Sequence, residues 1–258
     1  GAQMHFTGWW FLDGNTDNFT PSQELLRFLQ DTSRPPVIYL GFGSMKGSDN
    51  MSIDLTRIGL AALRAASARG ILLGGSSGLT RERLGSQPGD EELKAWARDN
   101  VMELKAVPHS WLFPRVAAVC HHGGAGTLAA GLRAGKPTVI VPFLADQPYW
   151  AAQVEERGLG WKGPHVSKLT ADVLSPLLKD VATNSTMQAK AKAVGEKIEA
   201  RDSLGDALMY IDRFMKTYPY PWKVDCQEQS DAAEEQRRRA WPATYSRDWR
   251  CCVCPQGD

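Results

Sequence analysis

The chain has 258 residues, 43% of them apolar, and 30 Lys and Arg stand against 29 Asp and Glu for a formal net charge of +1. These values fit a soluble globular protein of one large α/β domain or two small ones. They exclude a global field that would recruit nucleic acid or an acidic membrane, and no stretch has the roughly eighteen apolar residues of a spanning helix or the look of a signal peptide.

Gly1-Ala2-Gln3-Met4 looks like an expression scar or a cut inside a longer protein, so the chain reads as a fragment. Thr7-Gly8-Trp9-Trp10-Phe11-Leu12-Asp13 is linker-like and carries aromatics that want a partner surface. A helix is predicted over 21–30, before Pro35-Pro36, and Val37-Ile38-Tyr39-Leu40 reads as a buried strand emptying into Gly41-Phe42-Gly43-Ser44. Leu55, Ile58, Ala62, Ala65 and Ala66 recur at helical spacing over 52–69, with Gly70 as the stop. Ile71-Leu72-Leu73 is a second strand, closed by Gly74-Gly75-Ser76, and 101–104 is a third. A one- or two-turn helix over 108–113 leads to a fourth strand over 116–120, which delivers His121-His122-Gly123-Gly124-Ala125-Gly126-Thr127. Next come a helix over 128–134, a strand over 138–141, and the loop Phe143-Leu144-Ala145-Asp146-Gln147. Helical patterns continue over 147–157, 170–181, 185–200 and 204–217.

Continuous apolar strands alternating with helices predict a doubly wound parallel sheet covered on both faces. Such sheets bind ligands beyond the carboxyl ends of their strands, where the small and polar residues of this chain collect. Three segments are expected: a linker and lead-in helix over 1–34, the α/β domain over 35–218, and a flexible tail over 219–258. That tail holds the arginine run 237–239, read as a solvated charge run, and four of the five cysteines: Cys226, Cys251, Cys252 and Cys254. Cys252-Val253-Cys254 is too closely spaced for a zinc pair and no histidine completes a site, so these read as thiols in a reducing compartment. Cys120 reads as buried.

The turn at 121–127 lies between a buried strand and a helix start. Its glycines let a ligand approach the backbone, and the helix N-terminus offers free N–H groups with partial positive charge. A diphosphate fits there without a metal, helped by the Thr127 hydroxyl and a ring N–H of His121 or His122. Alternatively, Gly124 and Gly126 only allow tight strand-to-helix packing. The turn holds no G-x-G-x-x-G, no acidic residue closes a second strand at the dinucleotide distance, and Gly135-Lys136 runs into proline rather than completing a P-loop. Asp146-Gln147 can accept from and donate to adjacent sugar hydroxyls. Taken alone, Asp146 reads more readily as the N-cap of the next helix.

Taken together, Val107-Pro108-His109, the turn at 121–127 and Pro142-Phe143-Leu144-Ala145-Asp146-Gln147 resemble, in order and spacing, the donor-binding signature of GT-B glycosyltransferases of the UDP-glycosyltransferase type. The resemblance is closer to sterol 3-β-glucosyltransferases and their bacterial antibiotic-glycosylating relatives, through Thr7-Gly8-Trp9-Trp10-Phe11-Leu12, Gly41-Phe42-Gly43-Ser44-Met45 and Pro108-His109-Ser110-Trp111-Leu112-Phe113-Pro114. It covers about 7–217 and implies a Rossmann-like C-terminal half of a GT-B enzyme, with UDP-glucose as donor and no metal or other cofactor. By position, Val107 and His109 would meet the uracil, largely through backbone groups. Ser44, His121, Gly124, Ala125, Gly126 and Thr127 would hold the diphosphate, and Asp146 and Gln147 the glucose. Two departures suit the sterol and antibiotic branches: the uracil-stacking tryptophan of the plant enzymes falls at Ala106 and their ribose-binding glutamate at Ala129. The ribose contacts stay open, with Gly74-Gly75-Ser76 as a contributor.

The resemblance also implies an inverting transfer whose general base and acceptor pocket lie in an N-terminal domain absent from this chain. The fragment is therefore expected to bind donor but transfer little or no sugar alone. It implies a cytoplasmic protein, with peripheral membrane contact through that domain. Two other readings are a natural donor-binding subunit of a split enzyme, with Trp9-Trp10-Phe11 as its interface, and a non-catalytic UDP-sugar module.

Overall fold

A computed structural model describes residues 4–11, 19–45, 49–75 and 77–217. Its centre is a sheet of six strands: β1 (Val37–Gly41), β2 (Arg69–Leu73), β3 (Val101–Leu104), β4 (Ala118–His121), β5 (Thr138–Ile140) and β6 (Gly160–Lys162). All pairings are parallel and the order is β3-β2-β1-β4-β5-β6. The chain order reverses between β1 and β4, the place where an open parallel sheet leaves a crevice at its carboxyl ends. Gly41 is the register partner of His121, so the two glycine-bearing turns predicted to share a ligand leave the sheet side by side.

The helices are α1 (Gln23–Gln30), α2 (Asp49–Ala65), α3 (Asp90–Asn100), α4 (His109–Leu112), α5 (Ala125–Arg133), α6 (Gln147–Glu156), α7 (Ala171–Thr183), α8 (Ser185–Glu199) and α9 (Ser203–Thr217). Every residue of β1 is buried, so both faces are covered. Ile38 and Leu40 point to one side with Leu60 and Leu63 of α2 and Leu174 and Leu178 of α7. Val37 and Tyr39 point to the other with Leu25 of α1, Leu112 and Phe113. Burying each large aliphatic side chain stabilises the fold by about 1.5–3 kcal/mol, which fixes the strand ends that carry the loops. The Rossmann-like doubly wound sheet expected from the alternating pattern is the fold observed.

Several boundaries differ from expectation. Helix α2 ends at Ala65, and the chain reverses through Ser67 at φ 52°, so Arg69 and Gly70 belong to β2 rather than to a helix end. Arg69 is buried because its guanidinium donates to the carbonyls of Phe28, Asp31 and Pro35, closing the turn between α1 and β1. Helix α3 escaped the pattern because its sequence is mostly charged and buries only Asp90, Leu93 and Ala97. Strand β6 is three residues long and has no apolar run. Helix α5 begins at Ala125, one turn before the first leucine.

The aromatic start of the chain is engaged in part by the domain, through Trp9 and Phe11, while Phe6 and Trp10 stay exposed. Trp9 packs partly buried on a third apolar cluster of Leu128, Leu132, Ile140, Ala151 and Val154. The Arg133 guanidinium lies 4.5 Å over the Phe11 ring, and Arg201 donates to the Phe6 carbonyl. Trp10 stays exposed, its indole bonded to Thr7. The chain divides by compactness into 1–206 and 207–258, a boundary inside α9. The second unit's described part is residues 207–217, and the whole sheet with its loops belongs to the first unit. The tail over 219–258, with its cysteines and arginine run, lies outside the described residues.

Candidate functional site

His121 closes β4 with its ring fully buried. The Gly123 N–H donates to its Nδ1 at 3.0 Å, so the ring's own proton sits on Nε2. That Nε2 is buried and has no hydrogen-bond partner. Burial, reinforced by His122 and His109 nearby, pushes the His121 pKa down to about 3. The group is therefore a neutral donor at pH 7, and leaving it unanswered costs about 1–3 kcal/mol.

His122 fits a slot between two glycines. A Cβ on Gly43 would lie 2.8 Å from its Cε1, and a Cβ on Gly124 would strike its Nε2. Its Nδ1 also lacks a partner, and burial lowers its pKa against an opposing pull from Asp146. Gly123 takes φ 94°, and a Cβ there would run into Ile140. Gly126 differs from all three. It is exposed, and a Cβ on it would meet nothing within 4 Å, so no atom of the described residues requires glycine at this position. The packing alternative thus explains Gly43, Gly123 and Gly124, while Gly126 leaves the first turn of α5 open from outside.

Helix α5 starts on Gly124 with no side-chain cap and no acidic residue in its first turn, so its amides keep their partial positive charge. Ala125 and Gly126 are exposed and Thr127 is half-buried on this turn. Ser44 is exposed on the neighbouring β1 turn, beside the Gly43 that touches His122.

His109 points inward. Its ring stacks on Phe113 at 4.4 Å, and its Nε2 lies 3.3 Å from the Tyr39 hydroxyl. Burial lowers its pKa. Val107 packs partly buried in the Tyr39 cluster, so backbone is what the 107–109 segment has to offer a base. Tyr39, which reads in sequence as an ordinary strand residue, thus fixes the rim of the site.

Asp146 and Gln147 have different tasks. Asp146 is the N-cap residue of α6 but makes no capping bond. Its exposed carboxylate accepts instead from the Trp150 indole at 2.8 Å. Gln147 is buried, and its Oε1 accepts from the Phe143 and Leu144 amides at 2.7 and 3.1 Å. Its carboxamide oxygen is therefore used by the loop, and only Nε2, 3.9 Å from the Met45 sulfur, is left to donate. His165 pins the same loop through Nε2 and the Phe143 carbonyl at 2.8 Å. The i, i+4 spacing of Asp146 and Trp150 is a signal that helical geometry could have flagged; nothing local pointed to His165 or Met45. Gly74 and Gly75 turn beside β3, with the Gly74 amide donating to the Leu104 carbonyl, and Ser76 is outside the described residues. Among the described residues no group of three His, Cys, Asp or Glu side chains is placed to hold a metal. Cys120 is buried and free, its thiol pushed up to about 12 by burial.

Residues 88–204 match the family described as Erythromycin biosynthesis protein CIII-like, C-terminal domain. The chain is 38% identical over 234 residues to a sterol 3-beta-glucosyltransferase of Eremothecium gossypii, covering 90% of this chain and 18% of that protein. It is 37% identical over 212 residues to the Yarrowia lipolytica enzyme of the same name, covering 81% and 14%. The chain thus spans less than a fifth of these relatives. Among solved structures, Os79 from O. sativa in complex with UDP matches with a TM-score of 0.60 at 15% identity, over 76% of this chain and 46% of that one.

Proposed function

We infer that this chain, which carries the EryCIII-like C-terminal domain of the GT-B glycosyltransferases, binds UDP-glucose and supplies the donor half of an inverting glucosyl transfer. One observation carries the reading. His121, whose buried Nε2–H has no partner, ends β4 three residues before Gly124, the uncapped start of α5, where Gly126 leaves the backbone open. An anion would satisfy the donor and the helix amides together. The name of the sterol relatives supports a glucosyl donor, and the complex of Os79 with UDP supports a uridine diphosphate on this fold.

In this reading Val107 and His109 present backbone to the uracil. Ser44, His121, Gly124, Ala125, Gly126 and Thr127 surround the diphosphate. Asp146 accepts from the glucose hydroxyls and Gln147 donates through Nε2. An acceptor hydroxyl, that of a sterol or similar lipophilic alcohol, attacks the anomeric carbon. The new O–C1 bond forms as the bond from C1 to the β-phosphate oxygen breaks, and the bonding pair leaves with UDP. The acceptor's proton passes to a general base on an acceptor-binding domain or subunit, which would also bring any contact with a membrane surface in the cytoplasm. Charge that grows on the leaving UDP is met by the α5 amides and neutral imidazole N–H groups, so the step requires no metal.

Calorimetry with UDP and UDP-glucose tests the donor site. Binding of both is expected, with little or no glucosyl transfer by the 258-residue chain alone. No heat from either ligand at millimolar concentration would sink the reading.

A further inference from the structure

An aspartate at a helix N-cap ordinarily turns its carboxylate back onto an amide of the first turn. Asp146 cannot do so. Its own backbone is already helical, at φ −82° and ψ −8°, and no capping bond forms. The carboxylate instead meets the indole N–H of Trp150, one turn along α6, with Nε1 to Oδ2 at 2.8 Å. The spacing of four places the two side chains on one face of the helix. Oδ1 makes no such bond among the described residues and the residue is exposed, so half of the carboxylate is open to a ligand while the other half is held.

Trp150 is itself held. Trp9 lies against it with ring centroids 6.2 Å apart, and Tyr149 meets it edge-on at 5.2 Å. Both tryptophans rest partly buried on the Leu128, Leu132 and Ile140 cluster under α5 and α6. Trp9 is anchored by its neighbours, through Phe11 under Arg133 and the Phe6 carbonyl on Arg201. A chain of contacts thus runs from the first described residues to the carboxylate.

We propose that Trp150 is a positioning residue for the donor sugar, withdrawing Asp146 from its helix cap and aiming Oδ1 at adjacent hydroxyls of a hexose. Trp9 steadies it from the segment that enters the domain. The proposal rests on the donor-site reading and deepens it by naming what orients its sugar contact. A carboxylate already fixed in one rotamer loses less freedom when the sugar binds, an advantage of about three- to tenfold in affinity for one side chain.

The test is titration of the chain with UDP and with UDP-glucose. Trp150→Phe, which keeps a ring and removes the N–H, should weaken UDP-glucose about three- to tenfold and leave UDP within about twofold. Benzothienylalanine at position 150 keeps the two-ring volume without the N–H and should do the same, so a packing defect in the Phe variant cannot decide the outcome. Trp9→Leu should shift UDP-glucose in the same direction by less. In an Asp146→Ala background, Trp150→Phe should add nothing further. Equal weakening of both ligands by the benzothienyl variant would overturn the proposal. So would unchanged UDP-glucose binding in that variant while Asp146→Ala lowers it. If Asp146→Ala itself fails to separate UDP-glucose from UDP, the sugar contact has failed, and Trp150's role falls with it.

Discussion

Two groups of helix starts sit in the same unit and obey different rules. Helices α7 and α8 begin on Thr170 and Asn184, whose side chains accept from the Val173 and Met187 amides, and α1 begins likewise on Ser22. Helices α5 and α6, which leave the carboxyl ends of β4 and β5, have no such bond and no acid in the first turn. Glycine stands at one cap and an aspartate turned elsewhere at the other. The chain has suitable capping chemistry and uses it away from the crevice. At the crevice, the α5 amides and a buried imidazole N–H are left unanswered, which lowers stability and, in the proposed reading, keeps them ready for a bound group.

The most severe way to break this contrast is to supply the missing anion from the protein. Gly126→Glu places a carboxylate in the first turn of α5, at a position where a Cβ has open space. Removing a glycine from a helix and adding an acid near its N-terminus should raise stability by about 1 kcal/mol. The same side chain should weaken UDP by a hundredfold or more, about 2.7 kcal/mol, because it occupies the phosphate's place and repels it. Thermal melts and titrations should therefore move in opposite directions. A variant that melts higher and still binds UDP normally would show that the open turn is not the diphosphate site.

A second prediction uses the buried histidine. His121 has a folded pKa of about 3 against an ordinary value near 6.5. A base held neutral by the fold contributes stability fully present above pH 6.5 and lost as pH falls toward 3. Within that window the unfolded chain binds the proton first, and the loss approaches about 1.4 kcal/mol per pH unit. Burial acts in the same direction on His109 and His122. Melting temperature should fall on acidification below pH 6.5 more steeply in the parent chain than in His121→Ala. Parallel curves would remove His121 as the source. At neutral pH, His121→Ala should weaken UDP and UDP-glucose alike, by about tenfold for a lost donor.

Much of this was legible in the residues. Parallel strands read clearly because runs such as Val37 to Leu40 are buried on both faces and need no alternation. The position of 121–127 followed from a strand ending in small residues. What stayed hidden was long-range. Arg69 looks like a helix end until its guanidinium meets three carbonyls from the α1–β1 turn. Gln147 looks able both to accept from and to donate to a sugar until its oxygen closes the loop over Phe143 and Leu144, leaving only Nε2 to donate. The glycines look alike until their neighbours are known: Gly124 is demanded by His122 and Gly126 by nothing among the described residues. A local pattern carries residue type and spacing, whereas these roles depend on partners brought together by the sheet.

The mildest test compares two residues that occupy the same nominal place. Asn184 caps α8 through its Oδ1 and the Met187 amide at 3.1 Å, whereas Asp146 stands at the start of α6 and caps nothing. Asn184→Ala should cost about 1 kcal/mol of folding stability, as loss of a working cap does, and leave both ligands bound as before. Asp146→Ala should cost only a few tenths of a kcal/mol, since an exposed side-chain bond of this kind contributes little. It should nevertheless weaken UDP-glucose about tenfold while sparing UDP. If Asp146→Ala destabilised the fold as much as Asn184→Ala and treated both ligands alike, the aspartate would be a structural cap after all. Separation of the two variants, one in the melt and the other in the titration, would show that the same residue class at a helix start serves the fold in one place and the ligand in the other.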